Sequence, residues 1–314
     1  MAVPFLKLPS LVQNMIVKDL TALEKFLISS MSERARKAIS TCSKHQKVRI
    51  QVQNNERIEV VNAEFRRTEF VIEMSEPPEG FNVGREYRRM PNAQFPIMIF
   101  AKGSDHYDPD RKPGLFHKIW DMVMKTFRQA EINVQLYFDP QYDLDGTIGA
   151  LASYHLNLLK LKTIALEKAT WQMALNSIRK VDKKISCEIL RISGGRSIRM
   201  NDIIKLFLEC RHVVMKTGRY SNQKFIKLRN AWIENDKCEY VETSSFTSVN
   251  SLDVIINGIP ATPVQNVRIT GWKRNQSITV RNGYLIQKKD GTPAIICTET
   301  GSFVMATKFR MFDP

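Results

Sequence analysis

The feature that most constrains this chain is a recurrence between residues 131 and 245. Four segments share an apolar-x-x-apolar-x-apolar pattern: Leu161-Ile164-Leu166, Cys187-Leu190-Ile192, Cys210-Val213-Met215 and Cys238-Val241-Thr243. Their starts fall 26, 23 and 28 residues apart, and a looser version, Val134-Leu136-Phe138, precedes them. Between them lie apolar residues at helical period: Trp171, Leu175, Ile178 and Val181, then Ile203, Ile204, Phe207 and Leu208, then Phe225, Leu228, Trp232 and Ile233. A strand and a helix in each repeat bury their apolar sides by stacking strand beside strand, which predicts a parallel sheet within an α/β fold. The period is uneven and the asparagine ladder is missing, so the favoured form is a degenerate leucine-rich-like solenoid. A general α/β domain of alternating elements is the alternative, and it shares the parallel sheet.

Residues alternate faces along a strand, so the complementary set points away from the helices. That set is Thr163, Ala165, Ile189, Arg191, His212, Val214, Tyr240 and Glu242. An open sheet face with apolar residues among polar ones suits a protein partner. Ile189, Arg191, His212, Val214, Tyr240 and Glu242 are therefore the candidate target contacts, unless the C-terminal segment or a second helix layer covers them. The same pattern places Cys187, Cys210 and Cys238 at inward positions, where a cysteine acts as a small hydrophobe. With five cysteines and no CxxC pair, neither a disulfide framework nor a structural zinc is expected.

Residues 5 to 40 read as three short helices. Leu8, Val12, Met15, Ile16 and Leu20 form one apolar stripe, and Pro9 stands where a first helical turn tolerates it. Thr21 to Glu24 spells a capping box before a second stripe of Leu23, Phe26, Leu27 and Met31. Ser30 to Glu33 spells another, opening a helix with Ala35, Ala38 and Ile39. A unit this small has little core of its own.

The runs Pro4-Phe5-Leu6-Lys7-Leu8-Pro9-Ser10-Leu11-Val12, Met15-Ile16-Val17-Lys18 and Leu27-Ile28-Ser29-Ser30-Met31-Ser32-Glu33-Arg34-Ala35-Arg36 resemble an F-box. More closely, they resemble the F-box of a nematode-expanded family whose C-terminal half is the type 2 F-box-associated region. That second likeness is carried by Ile203 to Leu208, Phe225 to Glu234 with Trp232, Cys238 to Thr243, Ile255 to Ile259, and above all Gly283 to Ile295. The acidic residue that many F-boxes place after the Leu-Pro pair is replaced by Ser10 and Leu11, and the third helix has no tryptophan. The resemblance implies a substrate receptor of a cullin–RING (SCF-type) ubiquitin ligase, bridging the ligase adaptor, and through it a cullin, to a target protein for ubiquitination. It implies adaptor contacts at Leu8, Pro9, Val12, Ile16, Leu20, Leu23 and Leu27. The expected domains are an F-box at 1–46, a β-meander with a loop-rich insertion at 47–130, and an F-box-associated repeat domain with a C-terminal β cap at 131–314.

The meander rests on alternation at Val48-Arg49-Ile50-Gln51-Val52, Ile58-Glu59-Val60 and Phe70-Val71-Ile72-Glu73-Met74. From Glu76 to Lys118, frequent proline and glycine predict loops around one strand near 95–100. Asp290-Gly291 predicts a hairpin turn between alternating strands, and Ser302 to Phe309 a third strand, making an antiparallel end-cap. Asp105-His106-Tyr107-Asp108-Pro109-Asp110 and Asp143-Leu144-Asp145-Gly146 both lack the spacing of a calcium loop. No phosphate-loop, dinucleotide or nucleophile-elbow motif occurs. No enzymatic centre, metal or cofactor is expected.

The net charge of +15 raises a second class of function, nucleic-acid binding through Lys216, Arg219, Lys224, Lys227 and Arg229. No aromatic residues interleave with these cations as single-strand binding requires, so that partner is not expected. No apolar run approaches the roughly 20 residues of a membrane helix, and the N-terminus lacks the basic start of a signal peptide. The expected location is cytoplasmic, nuclear or both.

Overall fold

The structure is a computed structural model that describes residues 5–42, 48–53, 57–64, 67–73, 96–98, 112–138, 151, 154, 156–163, 175–176, 178–179, 186–193, 198–216, 219–244, 250–270, 277–299 and 301–311. The chain forms two compact units, Met1–Gln135 and Leu136–Pro314. Residues 1–46 and 47–130 fall together in the first, which also takes in the start of β5.

In the first unit a 3-10 turn, Phe5–Lys7, precedes α1 (Ser10–Asp19), α2 (Ala22–Met31) and α3 (Glu33–Cys42). The capping box at α2 is formed: Glu24 N donates to Thr21 Oγ1 at 3.2 Å, and Thr21 N donates to Glu24 Oε2 at 2.8 Å. The expected box at Ser30 is not. Ser30 lies inside α2, where its hydroxyl donates to the Leu27 carbonyl at 2.6 Å, and Ser32 Oγ accepts from Ala35 N instead. A serine inside a helix turns back to the preceding turn, which frees Ser32 to start α3.

The three helices take their core from the meander. β1 (Val48–Gln53), β2 (Arg57–Asn62) and β3 (Arg67–Glu73) are antiparallel, with Ile50 opposite Val60 and Ile58 opposite Ile72. β4 (Pro96–Met98) adds in parallel to β3, and β5 (Glu131–Phe138) in parallel to β1. Phe26 of α2 meets Phe70 of β3 at 5.3 Å between ring centroids, and Phe70 meets Phe127 at 6.4 Å. Phe127 follows α4 (Lys112–Thr126), a helix that occupies part of the expected loop region. Pro113 and Gly114, taken as loop signals, fall in its first turn, where proline is tolerated. Ile119, Trp120, Val123 and Met124 then bury at helical spacing.

In the second unit β6 (Leu156–Thr163), β7 (Cys187–Ser193), β8 (His212–Lys216) and β9 (Tyr240–Thr243) lie side by side and parallel, in chain order. The register corrects the first repeat. Leu156, Leu159 and Leu161 stand opposite Cys187, Leu190 and Ile192, so the first strand begins at Leu156 rather than Leu161. Ile164, Ala165, Leu166, Trp171 and Val181 lie outside the described residues. α5 (Met200–Phe207) buries Met200, Ile203 and Phe207, and α6 (Asn222–Ile233) buries Phe225, Leu228 and Trp232.

The C-terminal end-cap does not stand apart; it continues the sheet. After α7 (Leu252–Ile256) come β10 (Ala261–Thr270), β11 (Ser277–Gln287), β12 (Pro293–Glu299), β13 (Ser302–Ala306) and β14 (Phe309–Met311). The expected turn at Asp290-Gly291 joins β11 to β12, with Gly291 at φ 85°, a conformation that favours glycine. The expected third strand is two strands: β13 pairs antiparallel with both β12 and β9, whereas β14 pairs with β10. Only Thr307 and Lys308 separate β13 from β14, so the far half of β10 must return to the end of β13. The C-terminal strands are therefore rolled rather than flat, around a core of Val267, Ile269, Val280, Ile295, Cys297, Val304 and Ala306.

Candidate functional site

Two surfaces carry the candidate residues. The first is on α1 and α2. α1 buries only Val17, and its remaining apolar residues face outward. Leu11 is 70% and Met15 62% exposed; Val12 and Ile16 are each 37% exposed. These four sit at i, i+1, i+4 and i+5, which places them on one helical face. On α2, Phe26 turns to the sheet while Leu27 and Met31, one turn apart, are exposed. Of the predicted adaptor contacts, Pro9, Val12, Ile16 and Leu27 are exposed, and Leu8, Leu20 and Leu23 are half-buried. Leu11, Met15 and Met31 were absent from that set although they stand in the same runs; their exposure follows from Val17 and Phe26 being the residues that face the core.

The second surface is the sheet face of the second unit. The register assembles the six predicted target contacts into two rows across β7, β8 and β9: Ile189, His212 and Tyr240, then Arg191, Val214 and Glu242. This face is not wholly open. Tyr240 and Val214 are buried in the same cluster as the rolled C-terminal strands, so cover by the C-terminal segment holds for those two. Ile189, Arg191, His212 and Glu242 are half-buried. The Tyr240 hydroxyl donates to Glu242 Oε2 at 3.0 Å, and burial with that carboxylate raises the tyrosine pKa.

At the carboxyl ends of the parallel strands, a cavity of about 260 Å³ is lined by Lys160, Arg191, Ile192, Ser193, Val214 and Lys216. Lys160 stands opposite Arg191, and Ser193 opposite Lys216. Burial lowers the Arg191 pKa, and the Glu242 charge acts against that shift. Lys160 and Ser193 were not singled out in the sequence, because the shifted register of β6 hid the pairing of Lys160 with Arg191.

At the amino ends of the same strands Glu239 gathers cations. Its carboxylate lies 2.9 Å from Arg211 Nε, 2.9 Å from Lys308 Nζ and 3.7 Å from His212 Nε2. Burial lowers the His212 pKa, with Glu239 opposing. Arg229, counted among the basic patch, points inward: it is buried and donates to the carbonyls of Ile255 and Asn257 and to Asn230 Oδ1. Lys216, Arg219, Lys224 and Lys227 are exposed.

Cys187, Cys210, Cys238 and Cys297 are buried, and the Sγ atoms of Cys187 and Cys210 are 3.2 Å apart. Burial pushes Cys238 and Cys297 up to about 12 and raises Cys187 as well, which suits packing rather than nucleophilic attack. Asp105 to Asp110 and Asp143 to Gly146 lie outside the described residues. Among the described residues no three His, Cys, Asp or Glu side chains gather as a metal would require, and no helix is long and apolar enough to cross a membrane. The chain matches no protein-family model and no curated protein.

Proposed function

We propose that this chain is a substrate-receptor subunit of a cullin–RING ubiquitin ligase, with α1 to α3 acting as an F-box. The observation that carries the reading is the apolar face of α1, where Leu11, Val12, Met15 and Ile16 stand exposed together. Exposed apolar residues clustered on one face mark an interaction surface, and the sequence there is the stretch that resembles an F-box. The adaptor then covers this face, together with Pro9 and Leu27. On the same reading the second unit is a leucine-rich-like solenoid whose sheet face and rolled strands hold the target protein. The chain itself does no chemistry: it raises the local concentration of a target lysine beside a ubiquitin-charged enzyme.

Calorimetry of the full chain against the purified ligase adaptor tests this. Binding is expected, with weak dependence on salt, because the contact is apolar. Leu11→Glu combined with Met15→Glu should abolish it, since both side chains are exposed and neither supports the core. The pair Leu8→Ala and Pro9→Ala should weaken it by about 2 kcal/mol or more. A folded wild-type chain that fails to bind the adaptor overturns the reading.

A further inference from the structure

The cavity at the carboxyl ends of β6, β7 and β8 is unusual in what it brings together. Adjacent parallel strands place Lys160 directly opposite Arg191, and Lys216 follows two residues beyond Val214 on the next strand. Like charges directly opposite one another on a sheet are destabilising, so their meeting has a cost that a ligand of opposite charge offsets. The lining adds the Ser193 side chain and an apolar wall from Val214. Glu242 stands at the far side of Val214 in the same row and accepts the Tyr240 hydrogen bond. The position is also where open α/β sheets take ligands, outside the carboxyl ends of the strands.

We propose that this cavity binds a phosphoryl group borne by a phosphorylated side chain of the target protein. A phosphoryl group carries about −1.5 to −2 charges at pH 7 and three strong acceptor oxygens. Arg191 can grip two of them in a fork, whereas Lys160 and Lys216 act as point charges. The volume, about 260 Å³, lies below the roughly 300–1,000 Å³ that encloses a drug-sized molecule. It suits one phosphorylated side chain, not a nucleotide. The phosphoryl site stands on its own geometry; the assignment of its carrier to a target protein rests on the receptor reading above.

The test is calorimetry of the full chain with a neutral pentapeptide holding a central phosphoserine, its unphosphorylated form, and inorganic phosphate. The phosphopeptide should bind and the unphosphorylated peptide should not. Lys216→Gln alters an exposed side chain and leaves the fold intact, as circular dichroism would verify; it should weaken the phosphopeptide about tenfold or more, as should Arg191→Gln. Unchanged affinity in folded Lys216→Gln, or no binding of the phosphopeptide to the wild type, overturns the inference. Binding of inorganic phosphate alone overturns the protein source and leaves a site for free phosphate. Adaptor binding is measured on the same samples: phosphopeptide without adaptor removes the ligase reading only, and adaptor without phosphopeptide removes the cavity only.

Discussion

Arg229 shows how far a residue's role depends on what faces it. In sequence it is one of five cations; in the fold it ties α6 to the last carbonyls of α7. Its fork serves two carbonyls and the Asn230 side chain at once, an arrangement that a lysine cannot reproduce. Arg229→Met should cost about 2 kcal/mol, since charged hydrogen bonds in buried places are worth about 1.5–3 kcal/mol. Arg229→Lys should rescue only part, as read from urea midpoints. His212 offers a pH test at the same scale. Burial holds its folded pKa below the ordinary 6.5, against the pull of Glu239 and with Arg211 and Lys308 adding to the depression. Below pH 6.5 the unfolded chain takes up a proton that the folded chain resists, so the unfolded state gains. Relative to His212→Gln, the wild type should lose stability as pH falls from 6.5 through the depressed value. Well above 6.5 the difference between the two should no longer vary with pH. A constant difference across that range would refute the coupling.

Among the elements, β10 decides the shape of the C-terminal sheet. Before Asn266 its half-buried positions are Ala261 and Val264; after it, Val267 and Ile269 are buried. Asn266 itself has φ 53°, the left-handed region that asparagine tolerates and branched residues do not. It breaks the alternation and turns the outer half of the strand toward the core that also contains Tyr240 and Val214. Asn266→Gly should be tolerated, whereas Asn266→Val should destabilise by about 1–2 kcal/mol. Thermal unfolding of the two variants distinguishes these outcomes, and equal stability would mean that the left-handed residue does not set the roll.

For the whole molecule, charge is the dominant global term. A net charge of +15 repels itself in any compact state. Raising sodium chloride from about 0.01 M to about 0.1 M shortens the screening length from about 30 Å to about 10 Å. The unfolding temperature should therefore rise over this range. A fall would show that ion pairs such as those around Glu239 outweigh the general repulsion. Nothing in this prediction depends on the partner, so it can be measured before any binding experiment.

Local pattern was enough to read the three N-terminal helices, the Thr21 cap, the meander, the parallel strands from β7 onward and the Asp290-Gly291 turn. Each depends on contacts within a few residues or on a single periodicity. It was not enough for β6, because Leu156-Leu159-Leu161 and Leu161-Ile164-Leu166 match the same template equally well. Pairing with β7 makes the choice, and pairing is not local. The same holds for the helix behind Pro113-Gly114, for β10, where Pro263 and Asn266 mask the alternation, and for three-residue β14. Which apolar residues of α1 turn outward was likewise undetermined, since an amphipathic stripe says only that one face differs from the other. The sequence by itself therefore determined the elements and their order. Only tertiary structure decided which face was buried, because burial is set by the neighbours that long-range packing supplies.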